Sequence, residues 1–366
     1  MSAGPTDFPK NVIRIAVDAM GGDYAPQEIV KGALEAVRLN PIEIVLVGDP
    51  ETVEGELKKY APSYPSASLL AWADEYRPEI MNTLEEGRCP LARVRVVPSE
   101  GKVFEDEHPV QALRRKPRAS VAVATQMVKE GEADAMVSMG STGASMACAA
   151  LILGTLEGVE RPCLGGPFLG LAPRTVVVDI GSNVDCRPSL LLNFAVMGCV
   201  FARNILSIDH PRVGLLSVGA EGAKGNRQVS RAYQLFKQSS LNFVGNVEGM
   251  DFFTGRADVI VCDGFVGNIL LKFTEGLGAS MADYLRRSLE GKLPSSDLES
   301  LASRVWEMNN LPKKIGGPLL GVNGAVVVGH GASNAEGVVG AIDTARKCVE
   351  LKLVESIRAE LSAIRS

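Results

Sequence analysis

The stretch Val12-Ile13-Arg14-Ile15-Ala16-Val17-Asp18, followed by Met20-Gly21-Gly22-Asp23, is the first copy of the pattern that decides the fold. Its apolar run predicts a buried strand, and its two glycines predict a tight turn. Pro26 is typical of a helix start, where its missing N–H costs nothing, and apolar residues keep helical spacing over residues 29–37. This opening therefore predicts a strand, a turn and a helix in succession.

The same unit recurs along the chain. Strands that alternate with helices at this spacing predict an α/β fold, with a mostly parallel sheet flanked by helices. The order of the strands is not determined by the pattern. Continuous Val, Ile and Leu runs, typical of strands buried on both faces, occur at residues 42–47, 94–97, 135–138, 175–178, 213–218, 242–247, 259–262 and 325–328.

Composition narrows the class of protein. The chain of 366 residues has a formal net charge of −5, which argues against a nucleic-acid binder with a basic surface. Seven cysteines without a Cys-x-x-Cys pair are typical of buried thiols in a reducing cytoplasm. Because we find no signal peptide and no apolar run of about 20 residues, we expect a cytoplasmic protein with peripheral membrane contact at most.

The expected organisation is a flexible tail at residues 1–11 and a single large α/β catalytic domain at 12–366. The helix predicted at 188–205 is apolar around nearly its whole circumference, which fits either a central core helix or a subunit interface. An amphipathic helical pair at about 276–317 interrupts the strand–helix rhythm, so we expect it to project.

Five turns rich in Gly and polar residues follow predicted strands. Ligands of open parallel α/β sheets bind outside the carboxyl ends of strands, where helix N-termini offer free N–H groups to an anion such as phosphate. A single such turn is also how an ordinary helix begins, but five at equivalent positions favour a shared anion site. The turns are Gly140-Ser141-Thr142-Gly143, Asp179-Ile180-Gly181-Ser182-Asn183, residues 219–226 with Lys224, residues 263–268 with Asn268, and residues 329–334 with His330 and Ser333.

The common catalytic and nucleotide-binding motifs do not occur in the sequence. It has no Gly-x-x-x-x-Gly-Lys-[Ser/Thr], no Gly-x-Gly-x-x-Gly after the first strand, no Gly-x-Ser-x-Gly and no His-Glu-x-x-His. With three histidines a His-rich metal site is not expected. We expect no metal and no cofactor. His330 is either an acid or donor to a ligand oxygen, or a helix-entry side chain bonded to backbone. Asp18 and Asp179 end strands, where fixing a loop is more common than steering a proton.

A basic run occurs at Arg114-Arg115-Lys116-Pro117-Arg118. Such a run is usually a solvated face. The alternative is a docking surface for an acidic macromolecule, because charge raises the association rate. Smaller basic patches at 286–287 and 313–314, beside the amphipathic pair, suit a peripheral membrane contact, although core packing also explains the neighbouring apolar residues.

Eight short motifs follow one another along the chain: VDAMGGD at 17–23, GSTGA at 140–144, DIGSNVD at 179–185, PRVGLLSVG at 211–219, KGN at 224–226, NFVGNVE at 242–248, DGFVGN at 263–268 and HGAS at 330–333. In this order they resemble the motifs of the phosphate acyltransferase family of bacterial phospholipid synthesis. The pattern departs at Tyr24 and Ser141, where family members commonly have His and Asn, and residues 73–91 form a longer stretch without a counterpart.

The resemblance implies transfer of a long-chain fatty acyl group from acyl-acyl carrier protein to inorganic phosphate, giving acyl phosphate for phospholipid synthesis. It also implies a fold related to the isocitrate dehydrogenase and phosphotransacetylase group, a homodimer, and sometimes peripheral membrane association. Two alternatives stay open: a short-chain phosphate acyltransferase that uses coenzyme A thioesters, and a non-catalytic membrane scaffold.

Within this hypothesis the turns carry the chemistry. We expect phosphate to be held by amides of Gly140, Ser141, Thr142 and Gly143 together with Asn183 and Asn268, and by the charge of Lys224. Asp179 and Ser333 are further substrate-binding candidates, and His330 is expected to face the developing oxyanion. The acyl chain is expected along the 265–289 helix. Carrier-protein docking is assigned to Arg114, Arg115, Lys116 and Arg118.

Overall fold

A computed structural model describes residues 12–60 and 93–363 of the protein. The predicted tail at 1–11 and the stretch 73–91 lie outside the described residues. The strands are β1 Ile13–Asp18, β2 Ile42–Gly48, β3 Val94–Pro98, β4 Ala135–Ser138, β5 Cys163–Pro167, β6 Val176–Val178, β7 Val213–Leu216, β8 Phe243–Val247, β9 Val259–Val261, β10 Gly317–Leu320 and β11 Ala325–Val328.

Helices follow most of these strands, so the predicted α/β class is confirmed. They are α1 Gln27–Leu39, α2 Pro50–Tyr60, α3 Pro109–Arg115, α4 Ser120–Glu130, α5 Thr142–Cys148, α6 Pro188–Leu206, α7 Arg227–Gln238, α8 Gly264–Leu289, α9 Ser295–Met308, α10 Leu311–Ile315, α11 Ala335–Glu350 and α12 Leu353–Ala363. The described chain divides into two compact units, and the expectation of one catalytic domain over 12–366 stays a prediction.

The first unit comprises residues 12–60, 93–153 and 327–349. Its strands lie in the order β3-β2-β1-β4, with β11 beside β4. The pairs β3–β2, β2–β1 and β1–β4 are parallel. Side chains of β2 and β4 are buried along the whole strand, which explains their unbroken apolar sequences.

The second unit comprises residues 154–326 and 350–363, with strands in the order β10-β5-β6-β9-β7-β8. The pairs among β6, β9, β7 and β8 are parallel, whereas β5 runs antiparallel to both of its neighbours. Strands β5 and β10 were not predicted, because their sequences CLGGP and GPLL contain Gly and Pro. A Cβ on Gly165 would overlap Val178 Cγ1, so this position of β5 requires glycine for the strands to pair.

Helix α6 is the core helix of the second unit. It is long and apolar enough to cross a membrane by composition, but 61% of that apolar window is buried inside the protein. Strands β5, β6 and β9 lie against one side of it, and helices α7 and α12 also contact it. Of the two alternatives for this helix, the structure favours core packing, because sheet and helices of its own unit cover it.

Helices α8 and α9 pack against each other and form the predicted amphipathic pair. Small residues form much of the buried side of α8, where Gly278 lies against Asn309. The large apolar residues point outward instead. We define the exposed apolar face of α8 as Phe265, Ile269, Phe273, Leu277, Met281 and Tyr284.

Candidate active site

In the first unit, Asp18 ties the end of β1 to the turn that follows. Its Oδ1 accepts hydrogen bonds from the backbone N–H groups of Met20 and Gly21, both at 3.1 Å, and its Oδ2 accepts one from Ser138 Oγ at 2.7 Å. Burial raises the pKa of the Asp18 carboxyl, and these hydrogen bonds oppose that shift. The buried, bonded carboxyl fits the loop-fixing alternative.

Three turns of the first unit meet at one end of its sheet. A Cβ on Gly21 would lie 2.8 Å from the N atom of Gly140, so the two turns approach each other backbone to backbone. The N–H of Asp23 donates to the carbonyl of Gly331 at 2.8 Å. The predicted turns 140–143 and 329–334 are therefore brought together, with the 20–23 turn between them.

The turn at 140–143 offers fewer open amides than the sequence predicted. The N–H of Gly140 donates to Ser138 Oγ at 3.0 Å. Ser141 caps helix α5 by accepting from the N–H of Ala144 at 3.3 Å. Helix geometry leaves the N–H groups of Thr142 and Gly143 without an intrahelical acceptor, so these two are the amides suited to an anion.

His330 organises the turn that leads into α11. Its Nδ1 accepts a hydrogen bond from the N–H of Ala332 at 3.1 Å, and its carbonyl accepts one from the N–H of Ser333 at 2.9 Å. A ring nitrogen that accepts carries no proton, so this bond assigns the proton of the neutral imidazole to Nε2. This bond fits the alternative in which His330 is a helix-entry side chain bonded to backbone, and the role of His330 toward a ligand oxygen stays a prediction.

In the second unit, Asp179 is the centre of the turn after β6. It is fully buried, and its Oδ1 accepts from the N–H groups of Leu164, Gly181 and Ser182 and from Ser182 Oγ, at 2.8 to 3.3 Å. Its Oδ2 accepts from the backbone and side-chain N–H groups of Asn183 at 2.7 and 2.9 Å. Burial raises the pKa of the Asp179 carboxyl, and the bonds from Ser182 and Asn183 oppose the shift. This arrangement favours shaping of the turn over the predicted direct contact with substrate.

Asn183 is committed to the same network. Its Nδ2 donates to the carbonyl of Pro162 at 2.8 Å and to Asp179 at 2.9 Å, and the residue is 4% exposed. Both side-chain N–H groups are thereby used within the protein, which argues against the predicted donation to phosphate. The carbonyl of Asn183 accepts from the N–H of Gly264 at 2.7 Å, so Asn183 instead fixes the start of α8.

The start of α8 lies directly on the Asp179 turn. Asp263 caps the helix by accepting from the N–H of Val266 at 2.9 Å. A Cβ on Gly267 would overlap the carbonyl oxygen of Asp179, so only glycine permits this approach. Asn268 is exposed and lies against Gly181, whose φ of +138° also requires glycine. Unlike Asn183, Asn268 therefore presents its amide at the surface of the turn.

Lys224 is exposed in the loop between β7 and α7. Its N–H donates to the carbonyl of Glu221 at 2.9 Å, and its carbonyl accepts from Ser217 Oγ at 3.2 Å. Asn226, two residues on, caps α7 by accepting from the N–H of Val229 at 2.9 Å. The backbone of Lys224 is therefore held while its side chain faces solvent.

A cavity of about 550 Å³ opens in this unit between residues 184–187, which follow the Asp179 turn, the start of α7 and the start of α8. Its wall contains the two carboxylates of Asp185 and Asp263 and the guanidinium of Arg187, so its charged side chains carry a formal net charge of −1. Exposed Val184 and Phe265 supply an apolar side. The residues that line it are Val184, Asp185, Cys186, Arg187, Asn226, Gln228, Asp263 and Phe265.

Cys186 and Gln228 are cavity residues that the sequence did not single out. Gln228 Nε2 donates to the carbonyl of Cys186 at 2.7 Å, which joins α7 to the Asp179 turn. Burial, and to a lesser extent the nearby Asp179 carboxylate, raises the pKa of the Cys186 thiol to about 12. The thiol is thus protonated at neutral pH and is not an activated nucleophile. Within residues 12–60 and 93–363, no group of three or more His, Cys, Asp or Glu side chains is placed to hold a metal ion.

The basic run lies on the first unit, and its four cations differ in availability. Lys116 is half-buried, bonds Glu107 at 2.6 Å and lies over the Phe104 ring. Arg118 pairs with Glu100 at 2.6 Å. Arg114 and Arg115 are exposed at the end of α3. They are therefore the cations of the run best placed to meet an acidic partner.

Comparison with known proteins agrees with this architecture. A family model described as "Fatty acid synthesis protein" matches residues 13–76 and 66–356. A phosphate acyltransferase of Desulfitobacterium hafniense is 42% identical over 354 residues, which cover 95% of this chain and 98% of the relative. One of Nostoc punctiforme is 41% identical over 355 residues, covering 95% and 96%.

Among solved structures, a phosphotransacetylase from Streptococcus pyogenes superposes with a TM-score of 0.54 and 18% identity, covering 98% of this chain and 95% of that one. At that identity the superposition shows the shared fold alone. The two phosphate acyltransferases support membership of the same family, because their similarity to this chain extends over nearly the full length of both proteins. The chain accordingly belongs to the phosphate acyltransferase family and is an acyltransferase.

Proposed function

We propose that this acyltransferase moves a long-chain fatty acyl group from acyl-acyl carrier protein to inorganic phosphate, forming acyl phosphate for phospholipid synthesis. The observation that carries the proposal is the exposed apolar face of α8, which begins at the cavity with Phe265 and continues through Ile269 and Phe273. These residues recur every fourth position and span roughly 12 Å at 1.5 Å per residue. A two-carbon acyl group is too short to contact an apolar track of that length.

The cavity is proposed to take the arm that carries the thioester, and phosphate is proposed to bind at Lys224 and Asn268, which are not among the residues that line the cavity. An oxygen of hydrogen phosphate attacks the thioester carbonyl carbon and forms the new C–O bond. The tetrahedral oxyanion then collapses, the C–S bond breaks, and the departing thiolate takes the proton released by the phosphate. The ammonium of Lys224 offsets phosphate charge, and Asn268 donates a hydrogen bond. The predicted roles of His330, Ser333 and the 140–143 turn stay predictions.

Carrier-protein docking is proposed at Arg114 and Arg115. Both are exposed, whereas Lys116 and Arg118 already have carboxylate partners. An acidic carrier protein would be steered by such charges, and salt would screen the attraction beyond about 10 Å. Arg115→Glu is expected to raise the KM for the acyl carrier protein at low salt and to leave the KM for phosphate unchanged.

We also propose a cytoplasmic homodimer. The far part of the exposed apolar face contains Leu277, Met281 and Tyr284, and Leu293 and Leu301 further along the chain are also exposed. Exposed large apolar residues in this number are typical of a protein–protein contact. Sedimentation of Met281→Glu against the unaltered chain tests the dimer, and flotation with anionic vesicles tests peripheral membrane contact at the same end.

The central experiment is mass spectrometry of the products. The enzyme is incubated with phosphate and either palmitoyl-acyl carrier protein or acetyl-coenzyme A, and acyl phosphate is quantified. We expect phosphate-dependent palmitoyl phosphate and little acetyl phosphate. Phe273→Asp should lower kcat/KM for palmitoyl groups and leave any reaction with acetyl groups unchanged. Efficient acetyl transfer without palmitoyl transfer would instead identify the short-chain, coenzyme A-dependent alternative.

A further inference from the structure

Asn246, in β8, holds the loop that carries Lys224. The residue is 0% exposed, and its Nδ2 donates to the carbonyl of Glu221 at 2.9 Å and to the carbonyl of Lys224 at 3.3 Å. The two carbonyls belong to the turn that Lys224 itself closes through its N–H bond to Glu221. One buried amide group thus bonds both ends of the turn.

The orientation of this amide is determined by its surroundings. Its Oδ1 is buried and has no hydrogen-bond partner among the described residues. Exchanging the oxygen and nitrogen would point an acceptor at two carbonyl oxygens, so only the donor can face the turn. A buried acceptor without a partner is costly, and an apolar side chain of similar shape would avoid that cost. The presence of an amide at this position is therefore explained by the two carbonyls that it holds.

We propose that Asn246 is a positioning residue, which sets the location of the Lys224 ammonium by holding the carbonyl of Lys224. The proposal rests on the proposed function, in which Lys224 binds phosphate. The backbone of Lys224 is held at its carbonyl, which accepts hydrogen bonds from Ser217 Oγ and Asn246 Nδ2, and these bonds determine where the flexible side chain starts. Gly225, with a φ of +114°, then turns the chain into α7.

Without the Asn246 bonds the turn should move, and the Lys224 ammonium should occupy a wider range of positions. The binding of phosphate should therefore weaken more than the binding of the acyl donor. Asn246→Ala is expected to raise the KM for phosphate about five- to tenfold and the KM for acyl-acyl carrier protein less than about twofold. The matched control is Asn242→Ala. Asn242 is exposed and immediately precedes the same strand, and its Nδ2 donates to the carbonyl of His210 at 3.4 Å and not to the Lys224 turn.

A double-mutant cycle separates a positioning role from a merely structural one. In a Lys224→Ala background, Asn246→Ala is expected to change the KM for phosphate less than about twofold, because the group it positions is gone. The proposal is overturned if Asn246→Ala raises the KM for phosphate by the same factor with and without Lys224. It is also overturned if Asn246→Ala alone raises the KM for the acyl donor as much as the KM for phosphate. If Asn246→Ala does not fold, Asn246→Leu, which is similar in shape and has no hydrogen-bond donor, takes its place in the cycle.

The cycle also distinguishes failure of this inference from failure of the proposed function. An unchanged KM for phosphate in Lys224→Ala alone rejects the role of Lys224, and the role of Asn246 with it. A raised KM in Lys224→Ala, combined with additive effects in the double variant, rejects the role of Asn246 only.

Discussion

Replacing one glycine of helix α8 by alanine should destabilise the protein, while the same replacement nine residues further along should stabilise it. A Cβ at Gly267 would overlap the carbonyl oxygen of Asp179 and lie 3.0 Å from the Cα of Ile180. At Gly276, a Cβ meets nothing within 4 Å. The two sites share the helix and the substitution, so they differ in packing alone.

The expected magnitude follows from these surroundings. Alanine gains about 0.5–1 kcal/mol over glycine inside a helix, and Gly276→Ala should retain that whole gain. At Gly267 the obstacle is backbone, which cannot rotate away, so we expect an overpacking cost near the upper end of about 1–3 kcal/mol. Gly267→Ala should therefore be less stable than Gly276→Ala by roughly 3 kcal/mol, which corresponds to a melting temperature lower by roughly 4 °C for a chain of 366 residues.

Thermal unfolding followed by circular dichroism measures this difference directly. The activity assay is a second measurement, because the shift imposed on α8 moves Asn268, the residue after Gly267. We expect kcat/KM to fall at least about tenfold in Gly267→Ala and to stay within about twofold of the unaltered enzyme in Gly276→Ala. Equal melting temperatures for the two variants would refute the inference that the approach of α8 to the Asp179 turn requires glycine.

Lys224→Ala should raise the KM for phosphate roughly fivefold to thirtyfold, the effect of one charge at about 4 Å in a solvent-exposed site, whereas Lys237→Ala, with its exposed lysine at the far end of α7, should have no effect in steady-state kinetics. Asp258→Asn should lower the free energy of unfolding by about 1 kcal/mol at neutral pH. Burial acts to raise the pKa of Asp258, but the hydrogen bonds from Arg212 outweigh burial and hold that pKa below 3.8. The carboxylate therefore stabilises the fold above pH 3.8. The difference in free energy of unfolding between Asp258→Asn and the unaltered chain, measured by denaturant titration, should decrease as the pH falls below that value. Cys186→Ser should retain activity, and alkylation of Cys186 at pH 8 should be slow by mass spectrometry, since its pKa is about 12; rapid alkylation would contradict the buried, protonated thiol.

Local sequence was enough for the α/β class and for the turns that follow the strands. Buried parallel strands need continuous apolar runs and tight turns need glycine, and both requirements are visible within a few neighbouring residues. The start of α8 at the DGFVGN motif and the amphipathic pair could be predicted for the same reason. Strands β5 and β10 could not be predicted, because both contain Gly and Pro, which are uncommon inside strands. In β5, Gly165 is required by the close approach of Val178 from the neighbouring strand, which the local sequence does not reveal.

Tertiary structure alone decided what each polar residue of the turns does. Asn183 and Asn268 look equivalent in sequence, yet the N–H groups of Asn183 bond Pro162 and Asp179, while Asn268 is exposed. Asn246, known from the sequence only as part of a motif, bonds the carbonyl of Lys224 from a different strand. The availability of a donor depends on which acceptors the fold brings within about 3 Å, and those acceptors are distant along the chain. Sequence therefore determines where polar groups gather, and the folded chain determines which of them are still free to bind a substrate.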